Sequence, residues 1–192
     1  AIQQRGLDGV AIVDHNVIEG AWRVQELAPF KVIVGEEIKT AEGEIIGLFL
    51  NETIPLGLSP EETIERIREQ GGVVYVPHPF DSLRKSVIKR EALMRILDQV
   101  DALEVLNARV IKKQDNRAAV DLAVERGIAQ GAGSDAHHSY EVGRAYIDMP
   151  PFETAKDFIA SIQQSKVLGH VSSPLVHFAS SYARYKKKLS KR

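Results

Sequence analysis

The chain has 192 residues and a net charge of −1, and its 44% hydrophobic and 27% charged residues are ordinary for a globular domain. It contains no cysteine, which excludes a disulfide framework and a thiolate metal site, and it has no apolar run long enough to span a membrane. We therefore expect a cytoplasmic protein in which any bound metal is held by His, Asp and Glu.

Charge is distributed unevenly along the chain. Residues 158–192 include seven basic side chains and no acidic one, which leaves 18 basic and 26 acidic side chains in residues 1–157. An acidic body favours cations, whereas a basic end can contact phosphates or acidic partners, or can be a solvated helix end. We predict a folded domain over residues 1–170 and a basic C-terminal extension over residues 171–192.

Apolar runs and helical patterns alternate along the chain. The predicted strands are 7–13, 31–34, 44–50 (paired with 38–39 through a turn at 41–43), 73–76, 102–106, 128–133 and 144–147. The predicted helices are 2–5, 18–27, one that starts with the capping sequence at Ser59 and ends at Gly71, 88–97, 112–126, and one that starts at Pro150. Because Ala1 stands in place of Met and lies in a helix end, we expect the chain to begin within a domain.

This alternation predicts a parallel α/β architecture, in which the carboxyl ends of the strands form the functional face. Five of the predicted strands deliver polar side chains there, namely Asp14 with His15, Glu37, His78, Asn107, and Asp135 with His137. Each also has a structural explanation, as a helix cap, a rigid turn residue or a surface charge. Their joint occurrence at strand ends favours convergence on one site, since buried charges need partners.

The stretch from Gly131 to His137 carries the sharpest signal. Its glycines let the backbone approach a ligand closely, and Asp135 and His137 lie two residues apart, on one face of an extended chain. A carboxylate and an imidazole that converge suit Zn, Mn or Fe. The alternative is a turn in which Asp135 has a capping role and His137 is solvated.

Five short motifs in this order resemble the polymerase and histidinol phosphatase (PHP) superfamily of metal-dependent phosphoesterases. They are Val13-Asp14-His15-Asn16, Gly35-Glu36-Glu37-Ile38, Tyr75-Val76-Pro77-His78-Pro79, Leu103-Glu104-Val105-Leu106-Asn107 and Gly133-Ser134-Asp135-Ala136-His137. The resemblance implies a distorted (β/α)7 TIM-like barrel with two or three divalent metals, Mn, Zn or Fe, at the carboxyl ends of its strands. The superfamily's first strand carries a His-x-His pair that this sequence lacks, so we expect the barrel to be incomplete at its N-terminus; the alternative is a lineage that has lost one of the metals.

The resemblance also implies roles for individual residues. The implied metal ligands are His15, Glu37, His78, Asp135 and His137, with Glu37 as the bridging carboxylate. His78, Asp135 and His137 are also implied in catalysis, together with Asp14, which would orient an imidazole or a metal-bound water. Asn107 is expected beside the substrate, and Arg144 is a candidate phosphate-binding residue, as are Arg109 and Lys112.

The implied activity is hydrolysis of a phosphate ester of a small molecule, such as a nucleotide or a compound like histidinol phosphate, by metal-activated water. One alternative is a nucleic-acid phosphoesterase that uses the basic residues 182–192, although the acidic body argues against extensive nucleic-acid contact. Another is a non-catalytic protein that keeps the fold for binding or scaffolding. Without the first-strand ligands, we expect the 192-residue chain itself to be weakly active or inactive.

Overall fold

The main sheet has six strands in chain order and curls into half of a barrel. The computed structural model describes residues 1–172. The strands are β1 (Gly9–His15), β2 (Lys31–Thr40), β3 (Gly43–Leu48), β4 (Val73–Val76), β5 (Ala102–Asn107) and β6 (Ala129–Gly133). Strand β3 runs antiparallel to both neighbours, and all other pairs in this sheet are parallel. The mixed α/β architecture and the incomplete TIM-like barrel are thus confirmed.

Five helices and a second, two-stranded sheet complete the described residues. The helices are α1 (Glu19–Leu27), α2 (Pro60–Glu69), α3 (Arg90–Ile96), α4 (Lys113–Arg126) and α5 (Ala155–Ile162). Short 3-10 turns lie at Gln3–Arg5 and Leu97–Gln99, and the small antiparallel sheet consists of β7 (Ala145–Asp148) and β8 (Lys166–Gly169). Within residues 1–172, every helix is too short or too polar to cross a bilayer. The predicted basic extension lies, from residue 173 onward, outside the described residues.

The main sheet is covered on both faces. Side chains of α1 to α4, such as Ile67 and Leu93, pack against one face in the larger core cluster. On the other face, Phe158 and Ile162 of α5 pack with Ile33 of β2 and Tyr75 of β4. Because alternate residues of a strand point to opposite faces, every second residue of β2 after Ile33 also has its side chain on the face that α5 covers.

The hairpin of β2 and β3 forms as predicted, through a tight turn at residues 41–42. Gly43 has φ +128°, and a Cβ there would lie 2.2 Å from the Cα of Ile88, so the turn packs too closely for a side chain. One detail of the prediction is wrong, because β2 is a single strand that continues to Thr40. Glu37 therefore lies inside a strand rather than at its end.

Two other elements differ from the prediction. The last helix begins at Ala155 and not at Pro150, because Thr154 and Asp157 form a capping box that sets its first turn. Phe152 precedes that helix but still packs edge-on against Phe158, with ring centroids 5.1 Å apart. Strand β8 was not predicted, since a four-residue strand with a mostly exposed face has no distinct hydrophobic pattern.

We expect Thr154→Ala to destabilise the protein by about 1 kcal/mol, the usual cost of losing an N-cap hydroxyl. Thr154 Oγ1 accepts a hydrogen bond from Asp157 N at 3.2 Å, and Asp157 Oδ2 accepts one from Thr154 N at 3.1 Å. For a chain of this size the melting temperature should fall by about 2–4 °C. Thr154→Ser retains the hydroxyl, and a Ser variant that melts as low as the Ala variant would contradict the assignment.

Candidate metal centre

Three side chains on the α5 side of the sheet form the densest cluster of possible metal ligands. His15, the last residue of β1, lies opposite Glu37 in the parallel register of β1 and β2. His15 Nδ1 is 3.3 Å from Glu37 Oε2 and 3.7 Å from Glu44 Oε1, which β3 brings alongside. One donor atom from each of these three residues lies within 4.8 Å of the others.

His78 joins this cluster from the end of β4. Its Nε2 lies 3.2 Å from Glu37 Oε1 and 3.9 Å from Glu44 Oε2. Its backbone has φ +30°, an unfavourable conformation for a non-glycine residue, and its N–H donates to Glu104 Oε2 at 2.7 Å. Burial alone would lower the pKa of His78, but the hydrogen bond to Glu37 and the negative charges of Glu104 and Glu37 together outweigh burial, and the pKa is raised.

Arg84, in the loop 77–89, links His78 to Asp135. Its Nη1 lies 3.1 Å from His78 Nε2, and its Nη2 donates to Asp135 Oδ2 at 2.5 Å. Its Nε lies 3.4 Å from Asp81 Oδ2 in the same loop. Burial alone would raise the pKa of Asp135, but the charge and hydrogen bonding of Arg84 more than offset burial and lower this pKa.

Asp135 and His137 follow β6 and lie next to each other. His137 Nδ1 is 3.0 Å from the Asp135 carbonyl oxygen and 3.5 Å from Asp135 Oδ1. The backbone of Asp135 has φ +46°, so a second residue of the cluster adopts a left-handed conformation. Asn107 Nδ2 donates to Glu104 Oε2 at 2.9 Å and lies 3.4 Å from Asp135 Oδ2.

A buried ion pair fixes the loop 134–144 that carries Asp135 and His137. Arg109 Nη1 donates to Glu141 Oε1 at 2.6 Å, and both side chains are almost completely buried. The other oxygen, Glu141 Oε2, accepts the backbone N–H of His137 at 3.0 Å. Arg109, which the sequence placed among the phosphate-binding candidates, therefore ties this loop to the end of β5.

The structure does not bring every predicted site residue into the cluster. Asp14 lies on the opposite face of β1 from His15, and a Cβ on Gly20 of α1 would come within 2.3 Å of its Oδ2. This placement corrects the expectation that Asp14 orients an imidazole of the site.

Lys112 Nζ donates to Ser82 Oγ at 2.9 Å. The Nε of Arg144 is buried without a hydrogen-bond partner among residues 1–172, and its role in phosphate binding stays a prediction.

Three residues of the cluster were not singled out from the sequence. Glu44 directly follows the predicted turn at 41–43, where no sequence pattern indicates burial, yet it is buried. Its burial and, as the second cause, the charge of Glu37 raise its pKa. Glu104 is the single charged residue inside an apolar parallel strand, and this isolated charge could have identified it from the sequence. Burial raises the pKa of Glu104 as well. Arg84 lies in a long loop whose path no local pattern predicts.

The donor set fits a divalent metal. Glu44 Oε2 is buried and accepts no hydrogen bond from residues 1–172, although a buried carboxylate oxygen normally has a partner. Imidazole and carboxylate ligands without thiolate suit Zn, Mn or Fe. The possible ligands fall into two groups, a first ligand group of His15, Glu37 and Glu44, and a second ligand group of His78 and Asp135, which Arg84 links.

Comparison with known proteins locates relatives of this chain. A family model described as PHP-associated matches residues 113–167. Two uncharacterized proteins of Methanocaldococcus jannaschii are similar: MJ1587 is 49% identical over 110 residues, and MJ0417 is 46% identical over 140 residues. These matches cover 55% and 71% of this chain but only 61% and 56% of the relatives, so the chain spans little more than half of their length.

Solved structures share the fold at low sequence identity. PsfC from Pseudomonas syringae superposes with a TM-score of 0.69 at 21% identity, over 96% of this chain and 86% of PsfC. A two-domain Bacteroides vulgatus protein with a predicted PHP-like metal-dependent phosphoesterase gives 0.64 at 16% identity, over 86% of this chain and 57% of that protein. The lesion-specific endonuclease PfuEndoQ from Pyrococcus furiosus gives 0.56 at 18% identity, over 90% of this chain and 54% of the endonuclease.

Proposed function

We propose that this chain belongs to the PHP superfamily and that it hydrolyses a phosphate ester with the help of divalent metal ions, a proposal supported by the PHP-associated match over residues 113–167 and by the shared fold. The observation that carries the proposal is the run of contacts from His15 through Glu37 to His78. Arg84 continues this run to Asp135. Possible ligands from three strand ends and one hairpin thus lie together at the carboxyl ends of the strands, where α/β proteins place their reactive groups.

The residues of the cluster have separate roles in this proposal. Glu37 contacts His15 with one carboxylate oxygen and His78 with the other, the arrangement that a bridging ligand needs. Glu104 fixes the backbone of His78, and Asn107 holds the carboxylates of Glu104 and Asp135 together. Divalent metals bound here would neutralise phosphate oxygens and lower the pKa of a coordinated water. His137, whose side chain is 38% exposed compared with 14% for Asp135, would be accessible to an approaching substrate.

We infer a small phosphorylated molecule as the substrate class. Residues 1–157 carry an excess of eight acidic side chains, which disfavours a long polyanion on this body. Nucleotides and compounds like histidinol phosphate present one phosphate to the metals and little further negative charge.

A nucleic-acid phosphodiester is the second candidate, because PfuEndoQ superposes over 90% of this chain. Two features support this second candidate function, the fold and the basic residues 182–192 of the sequence, which could contact phosphates. A protein of this kind would cleave the polymer far faster than it hydrolyses a mononucleotide.

We expect the protein, stripped of metal with a chelator and reloaded with Mn²⁺, to release phosphate from p-nitrophenyl phosphate and from mononucleotides, at a low rate because the chain lacks the His-x-His pair of the superfamily's first strand. Cleavage of a DNA duplex with an abasic site, measured in parallel, distinguishes the two candidate functions, because a nucleic-acid phosphoesterase would cleave the duplex faster than it hydrolyses a mononucleotide. Glu37→Gln should abolish the metal-dependent rate, because the amide loses the negative charge shared by two histidines. Glu69→Gln, on an exposed face of α2, is the matched control. A rate that is unaffected by chelator, or by Glu37→Gln, would disprove the proposed function.

A further inference from the structure

The guanidinium of Arg84 lies where a cation would be expected in the second ligand group. Its Nη1 and Nη2 contact His78 Nε2 and Asp135 Oδ2, at 3.1 and 2.5 Å. A guanidinium is always protonated and has donors only, so His78 Nε2 must present its lone pair to Arg84. These two atoms are the same lone-pair donors that a divalent metal would take from His78 and Asp135.

The hydrogen bonds around His78 cannot all be satisfied at once. Its Nε2 also lies 3.2 Å from Glu37 Oε1, which is an acceptor when ionised. Nε2 can donate a proton to Glu37 or accept one from Arg84, but not both. The opposite ring nitrogen, Nδ1, is buried without a hydrogen-bond partner among residues 1–172. The lone pairs of His78 Nε2 and Asp135 Oδ2 both contact the Arg84 guanidinium, and a cation satisfies them whereas they cannot satisfy each other.

We propose that Arg84 is a displaceable internal cation, which holds the metal position between His78 and Asp135 and leaves it when a divalent metal binds there. This inference rests on the proposed function. The loop 77–89 that carries Arg84 has no helix or strand, and about one fifth of the Arg84 side chain is exposed, so the side chain has a path outward. Asp81, on the same loop, remains beside the Arg84 Nε and keeps the guanidinium near the site.

The displaced guanidinium is then the substrate's phosphate ligand. Its planar fork of donors matches two oxygens of a phosphate. Metal binding would thereby expose a phosphate-binding group that the metal-free protein keeps engaged with Asp135. The order of binding follows, with metal first and the anionic ester second.

Calorimetric titration of the metal-free protein with Mn²⁺ alone tests the competition. We expect Arg84→Gln to bind Mn²⁺ more tightly by about 10–100-fold, the range for one charge-assisted hydrogen bond that no longer has to be broken. Arg84→Lys keeps the competing charge and should bind close to the wild-type affinity. Arg95→Gln is the matched control, because Arg95 also bridges two carboxylates, Glu42 and Glu61, but on the exposed side of α3.

Inorganic phosphate, titrated into the Mn²⁺-saturated proteins, tests the second step. Arg84→Gln should weaken phosphate binding by about tenfold or more while it strengthens metal binding, a pair of opposite effects that simple loss of structure does not produce. Equal or weaker Mn²⁺ binding by Arg84→Gln, with wild-type binding intact, would overturn this inference and leave the proposed function standing. Failure of the wild-type protein and of both Arg84 variants to bind Mn²⁺ would overturn both.

Discussion

Asp135→Asn is expected to reduce metal-dependent phosphate release by more than about a hundredfold. Substitutions of residues that merely support a metal ligand already cost about 10–100-fold in affinity or activity, and Asp135 is a proposed ligand itself. The amide keeps the size of the side chain but loses the charge for which Arg84 and the metal would compete. Phosphate release from p-nitrophenyl phosphate, measured over a range of Mn²⁺ concentrations, checks this result.

A structural control accompanies this variant. Asp121→Asn removes a similar charge from an exposed pair with Arg117 on α4 and should leave the rate unchanged. Circular dichroism of the Asp135 variant should match that of the wild-type protein. Turnover within threefold of wild type would remove Asp135 from the proposed mechanism.

Glu141→Ala is expected to destabilise the protein by about 3 kcal/mol or more, because it takes a charged partner from the buried guanidinium of Arg109. The melting temperature should fall by about 6–12 °C. The same substitution removes the acceptor of the His137 backbone N–H, so Mn²⁺ affinity should fall even at temperatures where the variant is folded. Thermal denaturation and calorimetry measure these two effects separately.

The exposed pair of Arg66 and Glu69 provides the comparison. Its atoms lie 2.8 Å apart, nearly as close as those of the buried pair, but more than half of each side chain is exposed. Glu69→Ala should therefore cost less than about 1 kcal/mol. If both glutamate substitutions shifted the melting temperature equally, burial would not be the reason for the stability of the loop 134–144.

The alternating pattern of a strand explains why part of the site was predictable. Glu36 and Glu37 are adjacent and both buried, yet only Glu37 faces His15 and His78. Glu36 points to the opposite face, where its Oε2 accepts the backbone N–H of Ile54 at 2.9 Å. Composition alone cannot choose between two adjacent glutamates, whereas the superfamily pattern named Glu37. The same alternation, applied to Asp14 and His15, would have separated those two residues as well.

The positions of Arg84 and of the loop 134–144 depend on contacts between residues far apart in sequence, which no local sequence pattern predicts. Arg84 and Asp135 are 51 positions apart in sequence, and their contact requires the loop 77–89 to fold back over the end of β6. Glu141 meets Arg109 across 32 positions through a loop without regular structure. Sequence periodicity fixes strands and helices, but the path of such loops is decided by which buried charges find partners.

The antiparallel β2–β3 hairpin has a consequence for the order in which the site assembles during folding. Glu37 and Glu44 are seven positions apart and come together as soon as a two-residue turn closes. Closing a short loop costs little chain entropy, so this carboxylate pair forms early, whereas the pairing of β4, β5 and β6 must precede the contact of Asp135 with Arg84. Early in folding, the chain therefore presents a pair of neighbouring carboxylates before the rest of the cluster exists. Divalent cations in a refolding buffer would first meet the chain at this hairpin.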